Sequence, residues 1–278
     1  MKIILGDNQF FGINHFDLDK GAEIKTLFDS TDKIKAFISE ALNIGMDGFM
    51  INSNNYGFKI ISHETFKSSK EIHYSIPYAH KYANMVNEEG MMSLFSHVIR
   101  NTSMVSNIVG GLKLIAQRDI MHLIPFAVDI EVPKQLPKGS YVYLQNIITD
   151  LVIGLGRQDL LAKFITSVQK KGYKPGIVTL NPIILYKWLR KQEVDTSDMI
   201  MCFNINDTGF NVFPNKSEVE SFAKACHPFK KMGMSIFASG AGNIPQSIKY
   251  IKSLNLDYVV FGTSKMTNLR KNIEAFNE

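Results

Sequence analysis

Six side chains in this sequence combine a usable proton with a place just beyond a short apolar run: Asp7, Tyr56, His80, Lys81, Asp129 and Glu131. Carboxyl, phenol, imidazole and ammonium groups carry out general acid–base catalysis when they are held beside a reacting atom. Asp129 and Glu131 are separated by one residue, so in an extended segment they would share a face. Such a pair reads as a metal pair, an acid–base pair or a solvent-facing edge, and the three stay open. A second set is made of amides: Asn8, Gln9, Asn52, Asn54, Asn181, Asn204 and Asn206. Each can donate and accept hydrogen bonds toward a polar ligand, although Asn also ends strands in ordinary turns.

A third set is rich in glycine. Ala238-Ser239-Gly240-Ala241-Gly242 lets backbone N–H groups approach a ligand closely. Gly262-Thr263-Ser264 opens a helix, whose N-terminal end is partly positive, and Lys265 and Arg270 add charge. These segments suit an anion such as a phosphate group. Tight turns and a helix cap are the plainer use of the same residues. The sequence has no HExxH, no paired CxxC and no EF-hand loop, so no metal site is expected, and neither a GxGxxG fingerprint nor a Walker A loop occurs. Two cysteines exclude a disulfide framework. Cys202 reads as part of a strand, Cys226 as part of a helix, and both as small core residues.

The elements that must position these groups show a rhythm of short apolar runs followed by longer amphipathic stretches. Strands are predicted at 3–5, 48–51, 72–76, 122–128, 176–180, 199–203, 234–237 and 258–261. Helices are predicted at 33–44, 88–100, 103–117, 183–191, 217–232, 245–254 and 267–276. A further helical stretch is expected over 141–173, broken near Gly154-Leu155-Gly156, with Leu151–Ile153 as a strand the other reading. The strands lack alternation, as parallel strands buried on both faces do. Eight βα units describe an α/β fold, a single (β/α)8 TIM barrel over 1–278, with a doubly wound open sheet as the other arrangement. In such a barrel the chemistry sits at the C-terminal strand ends, where the three sets above all fall.

Composition bounds the rest. At 278 residues, 45% hydrophobic and 21% charged, the chain can bury a sizeable core and is not a disordered one. A net charge of +5 favours anionic small molecules but is too diffuse for a nucleic-acid partner. No apolar run is long enough to cross a membrane, and the N-terminus lacks the apolar stretch of a secretory leader, so a soluble, cytoplasmic protein is expected.

Several segments resemble the aldo/keto reductases. Val259-Val260-Phe261-Gly262-Thr263-Ser264-Lys265, with Asn268 to Phe276, looks like the end of those chains. That resemblance implies that Ser264 and Arg270 hold the adenosine phosphate of NADP. It also implies that Asn181 and Asn204 hold the nicotinamide carboxamide. Ala41 to Gly45, Phe49, and Asn52 to Gly57 resemble the segment that carries the catalytic Tyr, here Tyr56, and Leu5 to Gly12 is similar to the family's opening. The tetrad is incomplete. Ile51 or Asn52 stands where the family has Asp at the end of strand two, Lys81 is a loose match for its Lys, and Ile124-Pro125-Phe126 stands where its His would be.

The resemblance therefore implies a barrel enzyme acting on a small polar metabolite, with Tyr56 and His80 or Lys81 as acid–base pair and Asp7 or Asp129 orienting it. NADP or a phosphorylated substrate would lie against Ser239, Gly240, Thr263, Ser264 and Arg270. Two other functions fit the residues. One is a cofactor-free lyase, isomerase or hydrolase on a phosphorylated or polyhydroxylated, sugar-like substrate. The other is a non-catalytic barrel used for binding or assembly. The oligomeric state is not legible.

Overall fold

The computed structural model describes residues 1–11, 24, 26–62, 70–76, 127–129 and 131–278. Its strands are β1 (Lys2–Leu5), β2 (Gly48–Asn52), β3 (Glu71–Ile76), β4 (Tyr141–Leu144), β5 (Lys174–Thr179), β6 (Ile200–Asn204), β7 (Lys230–Met234) and β8 (Tyr258–Phe261). They pair in parallel and in chain order, and β8 returns to β1 with Ile3 opposite Val259 and Leu5 opposite Phe261. The sheet is thus a closed (β/α)8 barrel, and the open doubly wound sheet is excluded. Around it lie α1 (Thr31–Asn43), α2 (Asn55–Ile61), α3 (Asn146–Gly154), α4 (Gln158–Lys170), α5 (Pro182–Leu189), α6 (Lys216–Lys224), α7 (Ile244–Lys252) and α8 (Met266–Asn277). None of the described helices is long and apolar enough to cross a membrane.

Most strand residues are buried on both faces of the sheet, as the apolar runs of β1, β4, β6 and β8 require. Ile4, Val178, Cys202, Met232 and Val260 fill the barrel interior. Their neighbours Ile3, Leu5, Phe49, Met201 and Phe203 pack outward with helix residues such as Ile34, Ile38, Phe164 and Leu269. The interior also holds a buried imidazole. His73 stacks on Tyr141 at a centroid distance of 5.0 Å, and its Nδ1 lies 2.8 Å from the Tyr143 hydroxyl. Its Nε2 faces Glu71 at 3.6 Å. A proton on Nε2 is favoured by the nearby Glu71 carboxylate, and leaves Nδ1 to accept from Tyr143.

Two strands differ from the sequence prediction. The fourth strand of the barrel is Tyr141–Leu144, expected to open a helix, which pairs with both β3 and β5; of the predicted 122–128, Ala127 and Val128 are helical and 122–126 lie outside the described residues. The break near Gly154-Leu155-Gly156 does occur, between α3 and α4. Strand seven is Lys230–Met234 rather than 234–237, because Ser235 turns into the left-handed region (φ 55°) and ends the ladder. Accordingly α6 stops at Lys224, where the buried Lys231 ammonium donates to the Ala223 and Ala225 carbonyls. Cys226, predicted within that helix, is exposed in the loop after it, while Cys202 is buried in β6 as expected. The helices predicted at 88–100 and 103–117 lie outside the described residues.

Candidate active site

The chain leaves β1 through Gly6, whose N–H still bonds the Phe261 carbonyl of β8, and delivers Asp7 to the C-terminal rim. Asp7 is buried. Its partner comes from the last residue of β2. The Asn52 backbone N–H donates to Asp7 Oδ2 at 2.8 Å, and the Asn52 side-chain Nδ2 donates to Oδ1 and Oδ2 at 2.9 and 3.0 Å. Burial disfavours the charged carboxylate and these donors favour it. Burial prevails, and the Asp7 carboxyl is pushed up to about 6. A carboxyl poised there can both take and give a proton near neutral pH.

Beyond Asn52 the network continues. Gln145, the residue after β4, donates through Nε2 to Asn52 Oδ1 at 2.5 Å, and its backbone N–H bonds the Ile76 carbonyl that ends β3. Sequence reasoning missed Gln145 because strand four was misplaced. The Lys138-Gly139-Ser140 turn before an aromatic and β-branched run was the signal that could have found it. On the other side, Asn54 Oδ1 accepts from Gly57 N–H at 2.7 Å and caps α2. The first turn of α2 presses so closely on β2 that a Cβ on Gly57 would stand 2.0 Å from the Asn52 carbonyl oxygen. Tyr56 rides on that turn, exposed, with its ring 6.0 Å from Phe11.

The other predicted site residues separate into groups. Asp129 lies elsewhere, a correction to its expected place after the fourth strand. It pairs with Lys171, which follows α4 and precedes β5, and so sits at the end of the barrel opposite the rim. Glu131 is buried and acts on Tyr74. His80 and Lys81 lie outside the described residues. Arg270 reaches Glu40 of α1 at 2.9 Å, with both side chains half exposed. Ser239 and Gly240 occupy a short turn in which Ala238, Ser239 and Gly240 all have positive φ (48°, 57° and 92°). Runs of that kind store local strain and occur at ligand-holding loops. Thr263 and Ser264 precede α8, whose first turn has neither a side-chain cap bond nor an acidic residue.

Much of the amide rim serves the loops. Asn181 Oδ1 caps α5 through Ile184 N–H, and Asn204 Nδ2 donates to the Asn211 carbonyl at 2.8 Å. Asn206 bonds Phe210, Thr208 and Ser235 and holds the loop after β6. Asp150 of α3 accepts from Thr179 Oγ1 at 2.6 Å and from Leu180 N–H, locking the exit of β5. No group of metal-ligating side chains occurs among the described residues.

Comparison with known proteins bears on the fold. No protein-family model and no curated protein matches this sequence. Among solved structures it is similar to one described as "Putative aldo-keto reductase from Pseudomona aeruginosa". The TM-score is 0.56 at 14% identity, over 99% of this chain and 88% of that one. That likeness bears on the fold alone, and agrees with the closed (β/α)8 barrel.

Proposed function

We propose that this barrel is an enzyme that moves a proton on a small polar metabolite at its C-terminal strand ends, with Asp7 as the acid–base group. The observation that carries this reading is the buried Asp7 carboxyl, clasped by Asn52 and raised to about 6 by burial. In the aldo/keto reductase resemblance a carboxylate belongs at the end of strand two. Here Asn52 stands at that strand end, and Asp7, two residues beyond the neighbouring β1, brings the carboxylate to it. Asn52 holds the carboxyl in place, and Asp7 exchanges the proton through Oδ1, which accepts one bond where Oδ2 accepts two. Tyr56, exposed on the adjacent turn, would meet the substrate there.

The fold also raises a nicotinamide nucleotide as second substrate, and the donor set fits one in part. The bonds made by Asn181 and Asn204 leave over the Asn181 side-chain N–H groups and the Asn204 side-chain carbonyl. One donor and one acceptor complement the carbonyl and amino group of a carboxamide. The uncapped start of α8, with Thr263, Ser264 and Lys265, suits a phosphate. Ser239 and Gly240 would border the same ligand. A bound nicotinamide would supply hydride, and the reaction would be NADP-linked reduction of a carbonyl, with Asp7 governing the proton. The commitment of Arg270 to Glu40 favours a second reading, in which no nucleotide binds and a phosphorylated or sugar-like substrate uses the same rim.

Titration with NADPH, followed by cofactor fluorescence, separates the two. The first reading predicts saturable binding in both wild type and Asp7→Asn, with carbonyl turnover lost only in the variant. Absence of binding at millimolar NADPH rejects the nucleotide and directs the screen to sugar phosphates. Full turnover of any substrate by Asp7→Asn rejects Asp7 as the acid–base group.

A further inference from the structure

The Asn52 amide is held from both ends. Its Nδ2 faces the two Asp7 oxygens, and its Oδ1 accepts from Gln145 Nε2. An amide has one donor end and one acceptor end, so fixing one fixes the other. Charged Asp7 needs donors, and this orientation supplies one in addition to the Asn52 backbone N–H. Neutral Asp7 carries an O–H and needs an acceptor. If the Asn52 amide turned over to offer Oδ1, its Nδ2 would face Gln145 Nε2, donor against donor. Gln145 would then have to turn over as well. The three residues thus form a chain with two consistent arrangements, one for each protonation state of Asp7, and Gln145 is its far end.

We propose that Gln145 is a positioning residue for Asp7, acting through the Asn52 amide. The inference rests on the reading of Asp7 as the proton-exchanging group. Gln145 makes no hydrogen bond to Asp7. It selects the face of Asn52 that Asp7 meets, and so favours the charged carboxylate against burial. Among the described residues, the influences on the Asp7 proton are burial, the donors of Asn52 and the backbone N–H of Asp7 itself. No charged or titratable side chain of β2, β8 or α2 enters. Gln145 begins the segment Gln145-Asn146-Ile147-Ile148-Thr149, and its own backbone carbonyl is held by Ile148 N–H and Thr149 N–H. The side chain is therefore presented from a fixed turn at the end of β4, as a positioning group must be.

The test is the titration of the Asp7 side-chain carboxyl by ¹³C NMR in wild type, Gln145→Met and Gln145→Glu. Met keeps the length and removes the donor. The Asp7 midpoint is expected to rise by about 0.5–1 pH unit, the equivalent of one ordinary hydrogen bond. Glu replaces the donor with an acceptor, favours the turned-over Asn52 amide, and is expected to raise the midpoint by at least about one pH unit. An unchanged midpoint in both variants, with backbone spectra showing them folded, would overturn the proposal. A rise in Met alone also overturns it, because loss of packing and not amide polarity would then be the cause. The catalytic reading fails by a different result: full turnover in Asp7→Asn leaves the Gln145 titrations as they are.

Discussion

Replacing Asp7 with Asn should stabilise the protein at alkaline pH and leave it unchanged or weaker in acid. The buried carboxyl titrates at about 6, against 3.8 for an ordinary aspartate. The folded state therefore binds this proton more tightly than the unfolded state does. Below about pH 4 both states hold the proton and Asp7 carries no penalty; as pH rises through 6 the folded state must keep a charge that the unfolded chain solvates better. A displacement of about two pH units, at roughly 1.4 kcal/mol each, amounts to about 3 kcal/mol at pH 8. Asn escapes that penalty. Its oxygen in the Oδ2 position keeps the bonds from Asn52 N and Nδ2, but its own amide nitrogen then meets Asn52 Nδ2, a mismatch of about 1–2 kcal/mol. The net gain is about 1–2 kcal/mol near pH 8, or a few degrees in Tm. Thermal unfolding at about pH 8 and about pH 4, followed by circular dichroism, reads it. A variant less stable than wild type at pH 8, by as much as at pH 4, would refute the reasoning. A stabilising loss of a rim carboxylate is also what a residue retained for chemistry predicts.

Other consequences follow from the same structure. Gly57→Ala places a methyl 2.0 Å from the Asn52 carbonyl, so urea unfolding should show a loss of about 1–3 kcal/mol, together with a shifted Asn52 side-chain amide resonance. An unshifted resonance would mean that α2 yields instead. Tyr143→Phe removes the donor to buried His73 Nδ1 and should lower stability by about 1–3 kcal/mol; a neutral result would remove that bond from the core. Burial holds the proton affinity of His73 down, so the unfolded state takes the proton first and the stability is lost as pH falls below about 6.5. Its sign is opposite to that of Asp7, and in Asp7→Asn it should appear, with the like-signed contribution of His227, as a decline from about pH 7.5 to about pH 5. Arg270→Ala breaks a half-exposed pair and should change stability by less than about 1 kcal/mol; a larger loss in urea unfolding would show that the pair does more than link α8 to α1.

Where the chain spelled out its elements, the reasons are local. Residues 258–261 are an apolar run between Asp257 and Gly262 with no competing helical pattern, and β8 spans those residues. β4 is four residues long, and Tyr141-Val142-Tyr143-Leu144 runs directly into the apolar pattern of α3, so a helix absorbed it. Its proof of being a strand lies in His73, seventy residues away. β7 opens with two lysines and contains Gly233, a poor strand sequence on its face. Lys231 is usable there because the open carbonyls ending α6 take its ammonium. At the site, Asp7 and Asn52 were each legible as polar groups at strand ends. Their pairing across 45 residues was not, and Gln145 could not be placed until β4 was.

The proposed chemistry requires a rim carboxyl that changes charge close to neutral pH. The ¹³C titration of the Asp7 side chain in the wild-type protein measures this directly. A midpoint near 6 is expected, with the Asn52 side-chain amide resonances moving at the same pH. A midpoint near 3.8, with the Asn52 amide indifferent to it, would make Asp7 an ordinary structural carboxylate with no part in proton exchange.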